Sequence, residues 1–106
     1  MIFHVVPLDD WLKAPDRPFA PQALTEDGFI PCSVDEPGAL AAADAHFRSA
    51  VGPVMALMIN EHKLDAPVRW DPDPRIHGRV NRTAVVGMLE IERDGQGRAL
   101  STAVWS

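Results

Sequence analysis

Cysteine is almost missing from this chain. Cys32 is the only one, so no internal disulfide can form, a usage that fits a reducing compartment. Long apolar runs are missing too, and none approaches the roughly 20 residues that a membrane span needs. The start, Met1 to Asp10, has no basic segment and meets Asp9 and Asp10 at once, unlike a secretory leader. A cytoplasmic protein without membrane attachment is the expectation. Metal-ligand spacing is lacking: His4, His46, His62 and His77 stand far apart with no paired pattern such as HxxxH. Phosphate-loop and dinucleotide glycine patterns do not occur, and Gly28, Gly38, Gly52, Gly78 and Gly87 are scattered turn residues. Positive charge is in deficit, with a formal net charge of -5, which repels phosphate backbones and disfavours general nucleic-acid binding. Internal repeats, low-complexity tracts and linkers are absent.

What is present fits one domain spanning 1–106. The chain has 106 residues, room for a single core, and its apolar share of 46% is that of a globular protein. Ile2 to Val6 is predicted to be a strand ended by Pro7, followed by a short helix with Trp11 and Leu12 that Asp9 or Asp10 caps. Pro15, Pro18 and Pro21 forbid regular helix and leave a loop with a short edge strand near Phe19. Gln22 to Glu26 suits one helical turn closed by Asp27-Gly28. Phe29 to Ser33 reads as a short strand, with Pro31 at an edge or bulge.

The principal helix is expected from about Pro37 to Ser49, capped by Ser33 or Asp35, with Leu40, Ala43, Phe47 and Val51 on its buried face. Pro53 to Ile59 is continuously apolar and reads as a central strand covered on both faces. Asn60 caps a turn through Leu64, and Val68 to Trp70 is a short strand. Asp71 to Pro74 reads as a rigid loop. Ile76-His77 is extended, and Asn81 to Ala84 forms a turn. Val85 to Arg93 is a long strand, and Gly95 to Gly97 a hairpin turn. The return strand spans 98–105, with Leu100, Thr102 and Val104 on one face. Strands outnumber helices, so the fold class is α+β with a mainly antiparallel, bent sheet and one principal helix.

Few residues carry chemistry. His4 shares its strand face with Ile2 and Val6, and a histidine there must either find a structural hydrogen bond or line a cavity. Cys32 as a nucleophile needs a nearby base or helix N-terminus; its bland reading is a buried thiol. Ser33 is a helix cap or a ligand contact. Arg75, His77, Arg79 and Arg82 form the one cationic cluster, suited to an anion subsite or to a solvated loop balancing Asp71 and Asp73.

Taken in order, Ile2-Phe3-His4, Asp27-Gly28-Phe29-Ile30-x-Cys32-Ser33, Leu64-Asp65-Ala66-Pro67-Val68-Arg69-Trp70, Ile76-x-Gly78 and Ala84-Val85-Val86 resemble a bacterial family catalogued as domain of unknown function 952. The resemblance covers about residues 1–93. It implies an ADP-ribosyltransferase-like fold of two bent sheets, with an NAD or ADP-ribose-like nucleotide in the cleft between them. His4 matches the first-strand position that holds the nicotinamide-side ribose in that superfamily. The implied ligand contacts are His4, Ser33, Trp70, Arg75 and His77: Ser33 hydrogen-bonds, Trp70 stacks and Arg75 binds phosphate. No catalytic residue is assigned with the same support, Asp71 and Glu90 being the nearest carboxylates by position.

The chain departs from the family pattern where chemistry is expected. Pro31 stands where the family has a histidine, Trp70-Asp71 replaces Trp-Glu, and Arg75-Ile76-His77-Gly78 replaces His-Ile-Tyr-Gly. Two readings stay open. An active version of the site performs glycosyl or ADP-ribosyl transfer or NAD glycohydrolysis. A degenerate version is a non-catalytic binding or interaction module, and the apolar C-terminal strand ending in Trp105 then offers an edge for a homodimer.

Overall fold

The computed structural model describes residues 1–105. Its elements in chain order are β1 (Ile2–Pro7), α1 (Leu8–Leu12), α2 (Gln22–Asp27), β2 (Ile30–Pro31), α3 (Glu36–His46), β3 (Val54–Ile59), β4 (Val68–Trp70), β5 (Pro74–Ile76), β6 (Val85–Arg93) and β7 (Ala99–Val104), with short 3-10 turns at Glu61–Lys63 and Arg82–Ala84. The strands form two antiparallel sheets, one ordered β1-β3-β6-β7 and one ordered β2-β5-β4. The fold is a small α+β structure with antiparallel sheets and one helix of substantial length.

Period-two alternation along β1 and β3 explains the layers. Ile2, Val6, Leu57 and Ile59 point into a core shared with Ile30, Cys32 and Ile76 around the small sheet, and with Phe19 and Val80. Phe3, Val5, Val54 and Ala56 point the other way, into a core with Ala39 and Ala43 of α3. The larger sheet is therefore covered on both faces. This is why β3 carries no polar residue, and β3 indeed lies between β1 and β6.

Several expectations change. Asp35, not Ser33, caps α3, accepting from the Gly38 N–H at 2.8 Å. The helix stops at His46 rather than Ser49, and Val51 is 92% exposed instead of buried. Arg93 reaches across from β6 to donate to the carbonyls of Phe47, Ala50 and Gly52, and so satisfies backbone that continued helix would have paired internally. Neither Asp9 nor Asp10 caps α1; Pro7 belongs to β1 and precedes the helix directly, and the Leu8 N–H bonds the Pro53 carbonyl. Pro74 is a buried first residue of β5 rather than loop, because its missing N–H costs nothing at a strand start. Regular β2 covers only two of the five residues from Phe29 to Ser33.

Arg82 is the second long-range staple. Its Nε donates to the Arg17 carbonyl at 2.7 Å, Nη1 to Trp11 at 2.8 Å, and Nη2 to Lys13 and Ala14 at 2.9 and 3.3 Å. Its guanidinium also sits 4.3 Å from the centre of the Trp11 ring. The proline-rich loop is thus organised around a cation instead of regular structure. Ala14 holds a left-handed φ of 47° to turn its carbonyl inward. Lysine has one charged nitrogen and no planar fork, so Arg82→Lys is expected to lower the free energy of unfolding by about 1–3 kcal/mol in urea titration.

Candidate functional site

The two sheets meet at a seam. Phe3 and Ser33 exchange two backbone hydrogen bonds, of 2.9 and 2.8 Å, outside either regular sheet. One residue further along β1, His4 bends toward the same strap of chain and its Nδ1 lies 2.8 Å from the Pro31 carbonyl oxygen. A carbonyl only accepts, so Nδ1 carries the proton. Burial lowers the His4 pKa below its ordinary value, outweighing the upward pull of that carbonyl, so the ring is neutral near pH 7. A neutral ring protonated on Nδ1 presents a bare lone pair at Nε2. Nε2 has no protein partner, yet no side-chain nitrogen or oxygen among the described residues is both sealed and unpaired. Nε2 is therefore unpaired but not sealed from solvent.

His4 is also a wall residue of a cleft of about 660 Å³ beside β1. Its walls are Phe3, His4 and Val5 of β1, the strap Pro31 to Val34, Gly38, Ala41, Ala42 and His46 of α3 with Phe47, Ala23 to Asp27 of α2 in part, and Asp73. Gly38 permits the close approach of α3, since a Cβ there would stand 3.1 Å from the Ser33 Cβ and 3.0 Å from an Asp35 oxygen. Alternation along a strand points the Val5 N–H and C=O the same way as those of Phe3, toward the cleft, and no backbone group takes them among the described residues. The charged lining is Glu26, Asp27 and Asp73, with no lysine or arginine.

The expected ligand residues divide. His4 and Ser33 line this cleft; Trp70, Arg75 and His77 do not. Register places Pro31, Arg75 and Arg69 on one face of the small sheet, opposite the buried Ile30 and Ile76. There the Arg75 guanidinium covers the Phe29 ring at 4.4 Å, and the His77 ring lies 5.9 Å from the same ring. Trp70 is 56% exposed opposite Pro74. Asp71 and Glu90 lie outside the cleft as well; Glu90 borders a shallow depression near the β6–β7 hairpin.

Cys32 is buried, its thiol 3.6 Å from the Ile30 carbonyl, and burial pushes its pKa up to about 12. It is a core residue rather than a nucleophile. Val5, Gly38 and Asp73 were not legible as site residues. An apolar side chain conceals a backbone contribution, and Asp73 sits in a turn whose direction depends on β5 starting at Pro74.

A model of the family described as protein of unknown function (DUF952) matches residues 5–88. Among solved structures, protein CC0527 from Caulobacter crescentus superposes with a TM-score of 0.79 at 19% identity, covering 93% of this chain and 92% of that one. A double mutant of that protein gives the same TM-score at 18% identity. These similarities show the fold. No curated protein matches. Among the described residues, no group of three or more His, Cys, Asp or Glu is arranged to hold a metal, and no helix is long and apolar enough to cross a membrane.

Two outcomes follow from the His4 and Cys32 environments. The unfolded chain protonates His4 before the folded one does as pH falls. Stability tied to His4 is therefore fully present above the ordinary value of 6.5 and is lost as pH drops from there toward the lower folded pKa. Urea titrations across that window should show wild type losing stability more steeply than His4→Gln, which keeps a donor for Pro31 but does not titrate. Iodoacetamide at pH 8 should label native Cys32 at least about a hundredfold more slowly than urea-unfolded chain.

Proposed function

The chain belongs to the DUF952 family of proteins of unknown function, and from that footing we propose that the His4 cleft binds a nucleoside-like part of a ligand, ribose and base, without gripping phosphates. The observation that carries this is the fixed His4 Nε2 lone pair, a ready acceptor for a sugar hydroxyl. Beside it, the outward N–H and C=O of Val5 form the complementary pair that a carboxamide reads, and Ser33 adds a hydroxyl. Glu26, Asp27 and Asp73 favour a cationic base and disfavour phosphate. A nicotinamide ribosyl group, which carries a positive ring, a carboxamide and two ribose hydroxyls, meets each condition. The cleft volume lies within the usual range of about 300–1,000 Å³ for small-molecule sites.

On this reading the two-sheet arrangement is ADP-ribosyltransferase-like. The support is His4 on the first strand beside a cleft bounded by both sheets. If turnover occurs, it is cleavage or transfer at the ribosyl bond, with a carboxylate of Glu26, Asp27 or Asp73 stabilising the positive charge that develops on the sugar. Trp70, Arg75 and His77 then contact other parts of a larger ligand, or none.

A second reading, a non-catalytic interaction module, draws on β7. This strand forms one edge of the larger sheet, with Val104 81% and Leu100 59% exposed. Such an edge favours pairing with a second copy. A dimer in sedimentation that Val104→Lys dissolves supports it; a monomer at all concentrations removes it.

The binding proposal is checked by NMR titration with NAD, nicotinamide riboside and ADP-ribose. Nicotinamide riboside and NAD should shift Phe3, His4, Val5 and Ser33 amides, and ADP-ribose should shift them less. His4→Ala should abolish those shifts while the rest of the spectrum stays dispersed. Absence of shifts at these residues with both nicotinamide ligands sinks the proposal.

A further inference from the structure

Lysines and arginines number ten against fifteen Asp and Glu in this chain, yet four of the ten line one hollow. Lys13, Arg17, Arg79 and Arg82 surround a space of about 410 Å³, with Pro18, Phe19 and Ala20 as its apolar walls. Asp10 is the one acid on its lining, paired to Lys13 at 3.3 Å. An excess of three positive charges is left in an otherwise acidic protein. We propose that this hollow is a binding site for a small phosphate-bearing anion.

Three features separate it from a merely solvated basic patch. First, Arg82 is held by four carbonyls and by no carboxylate, so its charge is fixed at the wall and not neutralised. Second, the loop that presents Lys13 and Arg17 is wrapped around that guanidinium, with Ala14 in the left-handed region and the Arg17 N–H bonded to the Ala14 carbonyl at 3.0 Å. Strain of this kind persists where the surroundings over-determine it, often at ligand clamps. Third, the Arg17 and Arg79 side chains make no hydrogen bond or ion pair among the described residues, leaving two planar forks free for phosphate oxygens. A monocarboxylate would offset only one of the three charges, whereas a diphosphate offsets most of them.

The hollow is distinct from the His4 cleft. Phe19 lies between the two, lining the hollow while its ring centre stands 6.4 Å from that of His4. The anion could be a free polyphosphate or the phosphates of a nucleotide, and both carry the same group to the same arginines.

Inorganic pyrophosphate and ADP are titrated in parallel into the ¹⁵N-labelled chain, following backbone amides and arginine Nε signals. Saturable shifts are expected at Arg17, Ala20 and Arg79, with affinity falling as salt rises. Equal affinity for the two probes assigns binding to the phosphates alone; tighter ADP binding adds the base against Phe19 and Pro18. The double variant Arg17→Gln with Arg79→Gln should bind at least about tenfold more weakly, each removed charge-assisted contact being worth roughly that factor or more. It should keep the wild-type circular dichroism, since neither side chain bonds to the protein. Arg48→Gln, at the shallow depression near the hairpin, and His4→Ala should bind pyrophosphate as wild type does. Retained binding in His4→Ala with lost nicotinamide-ligand shifts separates this site from the cleft. No saturable shift at about 10 mM pyrophosphate, ten times a weak Kd of about 1 mM, would overturn the proposal. So would wild-type affinity in the double variant, or an equal loss in Arg48→Gln.

Discussion

The seam between Phe3 and Ser33 is the contact on which the rest of the arrangement turns. The larger sheet ends at β1 and the smaller one at β2, and without a connection each would present an unpaired edge to water. Two backbone hydrogen bonds join them at one residue pair only, after which the strap and β1 part company. The cleft is what that divergence leaves. His4, one residue past the pair, fills the start of the gap with its own hydrogen bond to Pro31. The same bond that ties the sheets together also decides which ring nitrogen is left without a protein partner, so the structural bond of this histidine and the ligand-binding role proposed for it rest on one geometry.

Pro31 takes on a different meaning in this light. Where the sequence resemblance implies a histidine, proline removes a polar side chain and a backbone donor, which suggests a lost function when sequence alone is considered. Yet its carbonyl is the acceptor that fixes His4, and its missing N–H falls on an edge strand two residues long, where no ladder partner is deprived. A backbone acceptor is insensitive to the side chain that carries it, so the neutral, Nδ1-protonated His4 does not depend on which side chain stands at position 31.

How much was legible follows from which forces act locally. The strands were, because β1, β3 and β6 alternate between two apolar cores and β-branched residues announce them. The Gly28 stop of α2 was also legible, since a left-handed φ of 79° demands glycine. The end of α3 was not. Helical spacing extends to Val51, yet the chain leaves the helix after His46, and the carbonyls of Phe47, Ala50 and Gly52 are taken by Arg93, more than forty residues away. The cationic cluster divides for a related reason. Sequence proximity grouped Arg75, His77, Arg79 and Arg82, whereas Arg75 and His77 lie beside Phe29 and Arg79 and Arg82 line the hollow under the loop of Trp11 to Arg17. His4 and Ser33 come to line one cleft through the isolated Phe3–Ser33 bridge, a pairing that residue type did not announce. The backbone of Val5 and the carboxylate of Asp73 had no signature in residue type.

Charge then separates what residue type could not. The chain is acidic overall, but two of its concave regions have opposite character: three carboxylates line the His4 cleft, and four cations surround the hollow beneath the proline-rich loop. At distances within the Debye length, about 8 Å at physiological ionic strength, such fields act on a ligand before contact. A phosphate is pushed from the first and drawn to the second, and a cationic base experiences the reverse. Phe19 is buried, lines the hollow and has its ring centre 6.4 Å from that of His4, so an apolar side chain stands between the two regions. A ligand carrying a cationic ring at one end and a diphosphate at the other would be oriented by that polarity alone, with the ring toward His4. On the proposed readings the orientation of such a ligand follows from where the acids and arginines are placed, and Arg75, which lies outside the cleft, takes no part in it.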